Sequence, residues 1–172
     1  QVTLSRSHFT GITSLGYSLQ CDTLTTKGAF YAEFCTLAGG VSLTSAVIGE
    51  ETSLKGTETG HVEGRTKAFI ADYAELKGDV TLSEFVARGD FSWRATQCPH
   101  LISLDGIRFV RHIPGELTFV VDFGDSHVRR LALGNSIGNE SGVRIRLDGG
   151  NFERLELGTA EALPLLVDTA TW

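Results

Sequence analysis

Residues 77–93 read KGDVTLSEFVARGDFSW, and residues 27–43 read KGAFYAEFCTLAGGVSL. Each stretch contains glycines followed by alternating apolar and polar residues, as in Gly78-Asp79-Val80-Thr81-Leu82. Alternation with a period of two is typical of a β-strand with one buried face. A glycine ahead of each run reaches backbone angles that other residues adopt only with strain, so we expect the chain to turn there. These stretches predict an all-β fold.

The pattern occurs twice, fifty residues apart. Residues 27–56 fall on residues 77–106, and a Lys-Gly pair opens both copies, at Lys27-Gly28 and at Lys77-Gly78. In both copies the next two glycines of the pattern follow at intervals of 11 and 17 residues. Matching intervals between turns indicate an internal duplication.

Two architectures join short strands through such corners. In a parallel β-helix, each coil buries its inner face by stacking on the next coil. The corners at Gly28, Gly56, Gly78 and Gly106 step by 28, 22 and 28 residues, or about 25 residues per coil. An antiparallel sandwich or barrel, with strands recurring roughly every 8 to 12 residues, also fits the 11-residue interval. We favour a parallel β-helix-like stack for residues 1–112 and keep the sandwich or barrel as the alternative.

Residues 113–172 have a different texture and are predicted to form a C-terminal β region of the same single domain, 1–172. The dipeptide Asp148-Gly149 lies between the alternating runs 143–147 and 152–157. Asp-Gly between two such runs is a strong signal for an antiparallel hairpin. We therefore predict a hairpin that caps the stack, with cross-strand pairs drawn from Arg144, Arg146, Glu153 and Glu156.

Composition limits the classes of function. The chain has 172 residues, 41% hydrophobic residues and only 3 prolines, which indicates one folded domain. No apolar run approaches the roughly 18 residues of a membrane-spanning helix, so the sequence predicts a soluble chain. The net charge of −6 argues against nucleic acid as a partner, because duplex binding needs clustered cations. Acidic residues interrupt the most basic region, which contains Arg108, Arg111, Arg129 and Arg130.

The cysteines suggest neither a metal site nor a disulfide framework. Cys21, Cys35 and Cys98 are odd in number and form no C-x-x-C pair. We predict buried, reduced thiols, and a Cys21–Cys35 bridge remains an alternative for an exported protein. No phosphate-binding loop, dinucleotide motif or nucleophile elbow occurs, so the sequence predicts no cofactor and no metal.

Four residues are candidates for ligand binding. Asp72, Glu75 and Asp79 form a carboxylate cluster in sequence, and carboxylates serve glycoside cleavage as acid and base or hold a cation. Tyr31 alternates with Phe30 and Ala32, so it is predicted to point outward and to offer an aromatic surface to a sugar. Trp93, by contrast, is predicted to lie in the core, because its counterpart in the first copy is Leu43.

Other short motifs are better explained by structure than by function. Arg88-Gly89-Asp90 spells an integrin-ligand tripeptide, but Gly89 is already accounted for as a corner. His61 and Glu63 fall on one face of a predicted strand, where His100 or His112 would be needed to complete a metal or acid–base site. Cys98-Pro99-His100 brings a thiol and an imidazole together in sequence only.

The Lys77–Leu82 segment and the glycine-plus-alternation pattern of residues 15–110 resemble the coils of bactofilins, bacterial polymer-forming proteins with a β-helical core. That resemblance implies a non-enzymatic scaffold that assembles end to end. The predicted C-terminal hairpin departs from the family, whose members usually have a disordered tail there.

Two hypotheses on function follow from the sequence. The first is a structural protein whose stacked β core associates with copies of itself or with a larger assembly, because strand edges offer unpaired backbone groups. The second is a carbohydrate-binding or carbohydrate-cleaving domain, suggested by Tyr31 and the carboxylates. The sequence favours a non-enzymatic role over catalysis.

Overall fold

In a computed structural model, the chain forms short β-strands throughout its described part. The structure describes residues 1–60, 67–110, 119–134, 143–156 and, for the backbone alone, 165–168. These ranges contain no helix, and hence none long and apolar enough to cross a membrane. The strands are β1 (Val2–Thr3), β2 (His8–Phe9), β3 (Tyr17–Gln20), β4 (Thr25–Thr26), β5 (Phe30–Tyr31), β6 (Thr36–Leu37), β7 (Gly40–Ser42), β8 (Val47–Ile48), β9 (Thr52–Ser53), β10 (Glu58–Thr59), β11 (Lys67–Ile70), β12 (Glu75–Leu76), β13 (Val80–Thr81), β14 (Val86–Ala87), β15 (Asp90–Ser92), β16 (Gln97–Ser103), β17 (Arg108–Phe109), β18 (Phe119–Asp122), β19 (His127–Ala132), β20 (Val143–Arg146), β21 (Asn151–Glu156) and β22 (Leu165–Asp168).

The strands stack as a parallel β-solenoid of about six turns. Three sheets run along the stack: one of ten strands, one of five in the order β17-β14-β10-β6-β2, and one of seven in the order β22-β20-β18-β15-β11-β7-β3. The ten-stranded sheet contains two faces of the coil, β1-β5-β9-β13 and β4-β8-β12, which the long strand β16 joins. Every strand pair in the described ranges is parallel. This arrangement confirms the β-helix-like prediction and rules out the antiparallel sandwich.

The fifty-residue duplication is a pair of unequal coils. Strand register places Val2 beside Phe30, Phe30 beside Thr52, and Thr52 beside Val80, so the coil length alternates between 28 and 22 residues. The predicted mean of about 25 residues is therefore right, but the predicted order of the glycine corners is wrong. Gly28 stacks on the position of Glu50 in the next coil, and Gly56 lies at a different corner, beside Phe34.

The glycine corners are of two kinds. Gly56 and Gly106 have positive φ, as predicted, whereas the glycines directly ahead of the strands do not. Gly28, Gly39, Gly78 and Gly89 do not have positive φ; a Cβ added at Gly78 would lie 2.5 Å from the carbonyl carbon of Glu50 in the coil below. Close approach of neighbouring coils, and not backbone strain, therefore requires glycine at that corner. Positive φ also occurs at eight described non-glycine residues inside tight turns: Arg6, Thr23, Phe34, Ser45, Tyr73, Glu84, Ala95 and Asp125.

Alternation along each strand fills the interior of the solenoid with apolar side chains. Phe30, Ala32 and Trp93 are fully buried, as predicted. Phe91 lies at the centre of an aromatic ladder, with ring centroids 5.6 Å from Phe69, 5.5 Å from Phe85 and 5.3 Å from Phe109. These three partners belong to different coils, so the ladder ties successive coils together.

Hydroxyl groups inside the core donate to backbone carbonyls where the chain turns. Thr57 Oγ1 donates to Ala32 O at 2.5 Å, and Thr96 Oγ1 donates to Ala71 O at 2.7 Å. Thr52 differs: it is fully buried in the inward column of β9, and its Oγ1 has no hydrogen-bond partner among the described residues. A buried hydroxyl without a partner keeps its full desolvation cost.

We expect Thr52→Val to stabilise the protein. Valine has nearly the shape of threonine and removes the unpaired hydroxyl, so the free energy of unfolding should rise by about 1 kcal/mol. Urea denaturation followed by circular dichroism measures the change. Thr57→Val is the matched control, because its hydroxyl also accepts from Cys35 N; it should lower the free energy of unfolding. Equal effects of the two substitutions would contradict this interpretation.

The predicted C-terminal hairpin is wrong. β20 pairs with β18 and β22, and β21 pairs with β19; all of these pairs are parallel. Asp148-Gly149 forms a tight turn, closed by a bond from Gly150 N to Leu147 O, that leads from one face of the coil to the next. The turn does not reverse the strand because each flanking strand already has partners in neighbouring coils. The stack therefore continues beyond residue 112.

Candidate functional site

The first coil, residues 1–26, lies at one end of the stack that the described residues form. Each of its strands β1, β2, β3 and β4 has one described partner, in the second coil, and the other edge of each strand faces outward without a described partner. In a parallel sheet, such an edge presents alternate N–H and C=O groups to a further strand. At the start of β3, both backbone groups of Tyr17 are already bonded to Thr13 of the preceding loop. We call this surface the N-terminal end.

Apolar side chains are partly exposed at the N-terminal end, where no coil of the described residues covers them. Val2 and Phe9 point inward and are half-buried, whereas Phe30 and Leu37, stacked on them, are almost completely buried. The loop between β2 and β3 adds Ile12 and Leu15, which are 46% and 51% exposed. The same loop helps to line a cleft of about 470 Å³.

The N-terminal end also lacks the charges that usually protect a sheet edge. Residues 1–26 contain two formally charged side chains, Arg6 and Asp22, in a chain of which 21% is charged. Neither lies within β1, β2, β3 or β4. Natural edge strands commonly carry lysine, other charges or proline, which discourage pairing with another chain.

A second surface lies where long strands replace one corner of the coil. At this corner Gly49 stacks closely on the backbone of Lys27, and Gly78 on Glu50. The following coils have no glycine here, and β16, β19 and β21 run across the corner as strands of seven, six and six residues. The register between β16 and β19 shifts between Cys98 and Leu101, a span that contains Pro99. The three long strands form the floor of an open groove.

The groove consists of two adjoining clefts of about 830 and 460 Å³, which share Arg129 and Glu153. Its charged groups are already bonded to one another. Lys77 pairs with Glu75 at 3.7 Å, and Arg129 pairs with Glu153 at 3.2 Å.

At the far side of the groove, two guanidinium groups share one carboxylate. Arg130 and Arg154 contact Glu156 Oε1 at 2.9 and 2.8 Å. Asp79 accepts a hydrogen bond from Leu101 N at 3.2 Å. The two clefts are lined by four cations and three carboxylates, and Glu156, which Arg130 and Arg154 share, is a fourth carboxylate beside them; the whole chain has a net charge of −6.

Neutral polar groups line the middle of the groove. Gln97, His127 and Asn151 lie in register on β16, β19 and β21, with their side chains exposed. Adjacent strands are about 4.8 Å apart, so the polar groups of these three side chains form a short row. None of the three side chains has a hydrogen-bond partner among the described residues.

The structure separates the four sequence-predicted ligand residues. Glu75 lines the larger cleft and Asp79 the smaller one. Asp72 lines neither; its Oδ1 accepts from Ser92 Oγ at 2.6 Å and from Arg94 N at 2.9 Å, which tethers two coils. Tyr31 lies on another face, where its hydroxyl donates to Glu51 Oε2 at 3.0 Å, and this hydrogen bond raises the pKa of Tyr31.

The exposed aromatic residues differ from the predicted one. Tyr31 points outward but is half-buried, whereas Tyr73 is 67% and Phe34 is 47% exposed. Both exposed rings occupy positive-φ positions inside tight turns. Strand alternation contains no information about such turn positions, and no local sequence signal identifies them.

The thiols are free, and two of them are buried. Cys35 Sγ donates to Leu4 O at 3.1 Å, and Cys21 is half-buried without a disulfide. Burial raises the pKa of Cys98 to about 11, so this thiol is protonated at neutral pH and cannot act as a nucleophile.

The integrin-like tripeptide is part of the scaffold. Arg88 donates to Glu58 Oε1 at 2.5 Å and to Thr59 O, Gly89 is buried, and Asp90 accepts from Val120 N. The proposed partners His61, Glu63 and His112 lie outside the described residues. Within the described part of the chain, no group of three His, Cys, Asp or Glu side chains is placed to hold a metal ion.

No family model matches the chain, and no curated protein or solved structure matches it.

Proposed function

We propose that this protein is a non-enzymatic structural β-solenoid that associates with a second copy of itself through the N-terminal end. The observation that carries the proposal is the open edge of β1, β2, β3 and β4, which has exposed apolar side chains beside it and no charged residue within its strands.

A second copy fits this surface because both partners gain the same interactions. Pairing with another strand edge satisfies the N–H and C=O groups that face outward, and it covers the half-buried Val2 and Phe9. Few charges oppose the approach, since Arg6 and Asp22 are the charged side chains of the first coil. The resemblance of residues 15–110 to bactofilin coils implies the same use of a solenoid end.

The symmetry of the assembly decides its size. Two N-terminal ends that face each other form a closed two-fold dimer, in which strands meet in antiparallel orientation. An N-terminal end that meets the opposite end of another copy continues the stack and forms a filament. Both are end-on assemblies, and the mass of the particle distinguishes them.

Light scattering behind size-exclusion chromatography, over a hundredfold range of protein concentration, tests the proposal. We expect the mass to rise with concentration to that of a dimer, or to grow without limit into filaments visible by negative-stain microscopy. Raised salt should not dissociate the assembly, because its contacts are apolar and backbone-mediated. A chain that stays monomeric at every concentration and ionic strength would overturn the proposal.

A further inference from the structure

We infer that the groove over β16, β19 and β21 binds a neutral oligosaccharide, with Gln97, His127 and Asn151 as its polar contacts. This site lies on the side of the solenoid and is independent of the N-terminal end.

Charge selects the class of ligand. An anionic ligand needs free cations, but Lys77, Arg129, Arg130 and Arg154 are all paired with carboxylates. A cationic ligand would meet the same obstacle at Glu75, Glu153 and Glu156, and Asp79 already accepts a hydrogen bond from Leu101 N. A charged ligand would therefore have to break existing ion pairs, whereas a neutral ligand leaves them intact.

Hydrogen-bonding capacity selects among neutral ligands. The amides of Gln97 and Asn151 each supply donors and acceptors, and the His127 imidazole adds two ring nitrogens that can take part in hydrogen bonds. A row of such groups suits a ligand whose neighbouring hydroxyls both donate and accept, which is the chemistry of a sugar. The Lys77–Glu75 and Arg129–Glu153 ion pairs line the same cleft as this row.

The shape of the groove selects a chain over a single sugar. The larger cleft crosses β12, β16, β19 and β21, and from Arg129 and Glu153 the smaller cleft continues along β16, β19 and β21, so the groove spans several strands. Pro99 is exposed at the floor and offers an apolar ring on which the C–H face of a sugar can rest.

NMR titration of the ¹⁵N-labelled protein tests the inference. The probes are cellohexaose, xylohexaose and mannohexaose, with a hexamer of polygalacturonate as the charged comparison. We expect at least one neutral hexasaccharide to shift the side-chain amide signals of Gln97 and Asn151, with an affinity that does not change when salt is raised.

Substitutions then localise the site. The double variant Gln97→Ala, Asn151→Ala should weaken binding by at least tenfold, and both residues are exposed, so the fold should be retained. Gln20→Ala is the matched control, because Gln20 is an exposed amide on the seven-stranded sheet, bonded to Asp22. It should leave the affinity unchanged.

Three results would overturn the inference. The first is that no neutral hexasaccharide shifts the groove signals. The second is that only the polygalacturonate hexamer binds, with an affinity that falls as salt rises, which would indicate a charged ligand. The third is equal binding by the double variant and the wild type, which would place the ligand elsewhere.

Discussion

Phe91→Ala is expected to lower the free energy of unfolding by about 4 kcal/mol, because it removes a fully buried ring and leaves a cavity. Phe91 is 1% exposed and packs on rings from the coils before and after it. In a solenoid, each coil is stabilised mainly by its neighbours, so a defect in the middle weakens both halves. The loss is a large fraction of the roughly 5–15 kcal/mol that stabilises a typical domain. Urea denaturation followed by circular dichroism measures it.

Phe34→Ala is the control for this prediction. It removes the same ring from a position that is 47% exposed, where the ring lies over Gly56 at the surface. Phenylalanine and alanine both have a Cβ, so the positive φ at residue 34 strains the backbone similarly with either residue and does not affect the comparison. We expect a change within about 1 kcal/mol. Similar losses for the two substitutions would contradict the placement of the aromatic ladder in the core.

The double variant Ile12→Asp, Leu15→Asp is expected to abolish self-association. Both side chains are exposed in the loop beside the open edge, so the substitutions place two negative charges on the N-terminal end without disturbing the core. In an end-to-end contact these charges become buried without a partner, which costs several kcal/mol. Light scattering at the highest concentration tested should give the mass of a monomer.

Tyr73→Asn controls for the loss of exposed apolar surface. Tyr73 is the most exposed large apolar side chain described, and it lies at a turn between β11 and β12, away from the N-terminal end. Asparagine tolerates the positive φ of this position better than most residues do. The variant should assemble like the wild type. If Tyr73→Asn also prevents assembly, the contact lies on the side of the solenoid and the proposed interface is wrong.

Local alternation was sufficient to predict which side chains point inward. Phe30, Ala32 and Trp93 lie in the core, and Tyr31 points outward, because a strand of period two has this consequence whatever its partners are. The duplication likewise predicted the mean coil length. The alternation is visible within one strand, and the coil length follows from the spacing of the two copies, so neither prediction requires knowledge of strand pairing.

Strand pairing could not be predicted in the same way. An Asp-Gly dipeptide such as Asp148-Gly149 is compatible with a hairpin turn and with a solenoid corner. Which of the two forms depends on the strands with which β20 and β21 pair. Those partners, β18, β19 and β22, come from neighbouring coils. The order of the glycine corners was wrong for a similar reason, since coils of 28 and 22 residues give the same fifty-residue period in either order.

The groove was only partly visible in the sequence. Glu75 and Asp79 belong to the carboxylate cluster that the sequence predicts, and they line the two clefts of the groove. Gln97, His127 and Asn151 are separated by 24 or more residues, and parallel register alone brings them into one row. Asp72 belongs to the same sequence cluster, yet its carboxylate faces Ser92 and the backbone of Arg94.

Hydrogen exchange read by mass spectrometry, at low and high protein concentration, tests most directly whether a second copy covers the open edge. The account predicts that amides in residues 1–26 exchange at least tenfold more slowly at high concentration, while those in residues 67–93 do not change, because the second copy covers only the end. If light scattering shows assembly but residues 1–26 gain no protection, the copies do not meet at the N-terminal end and the central claim is wrong.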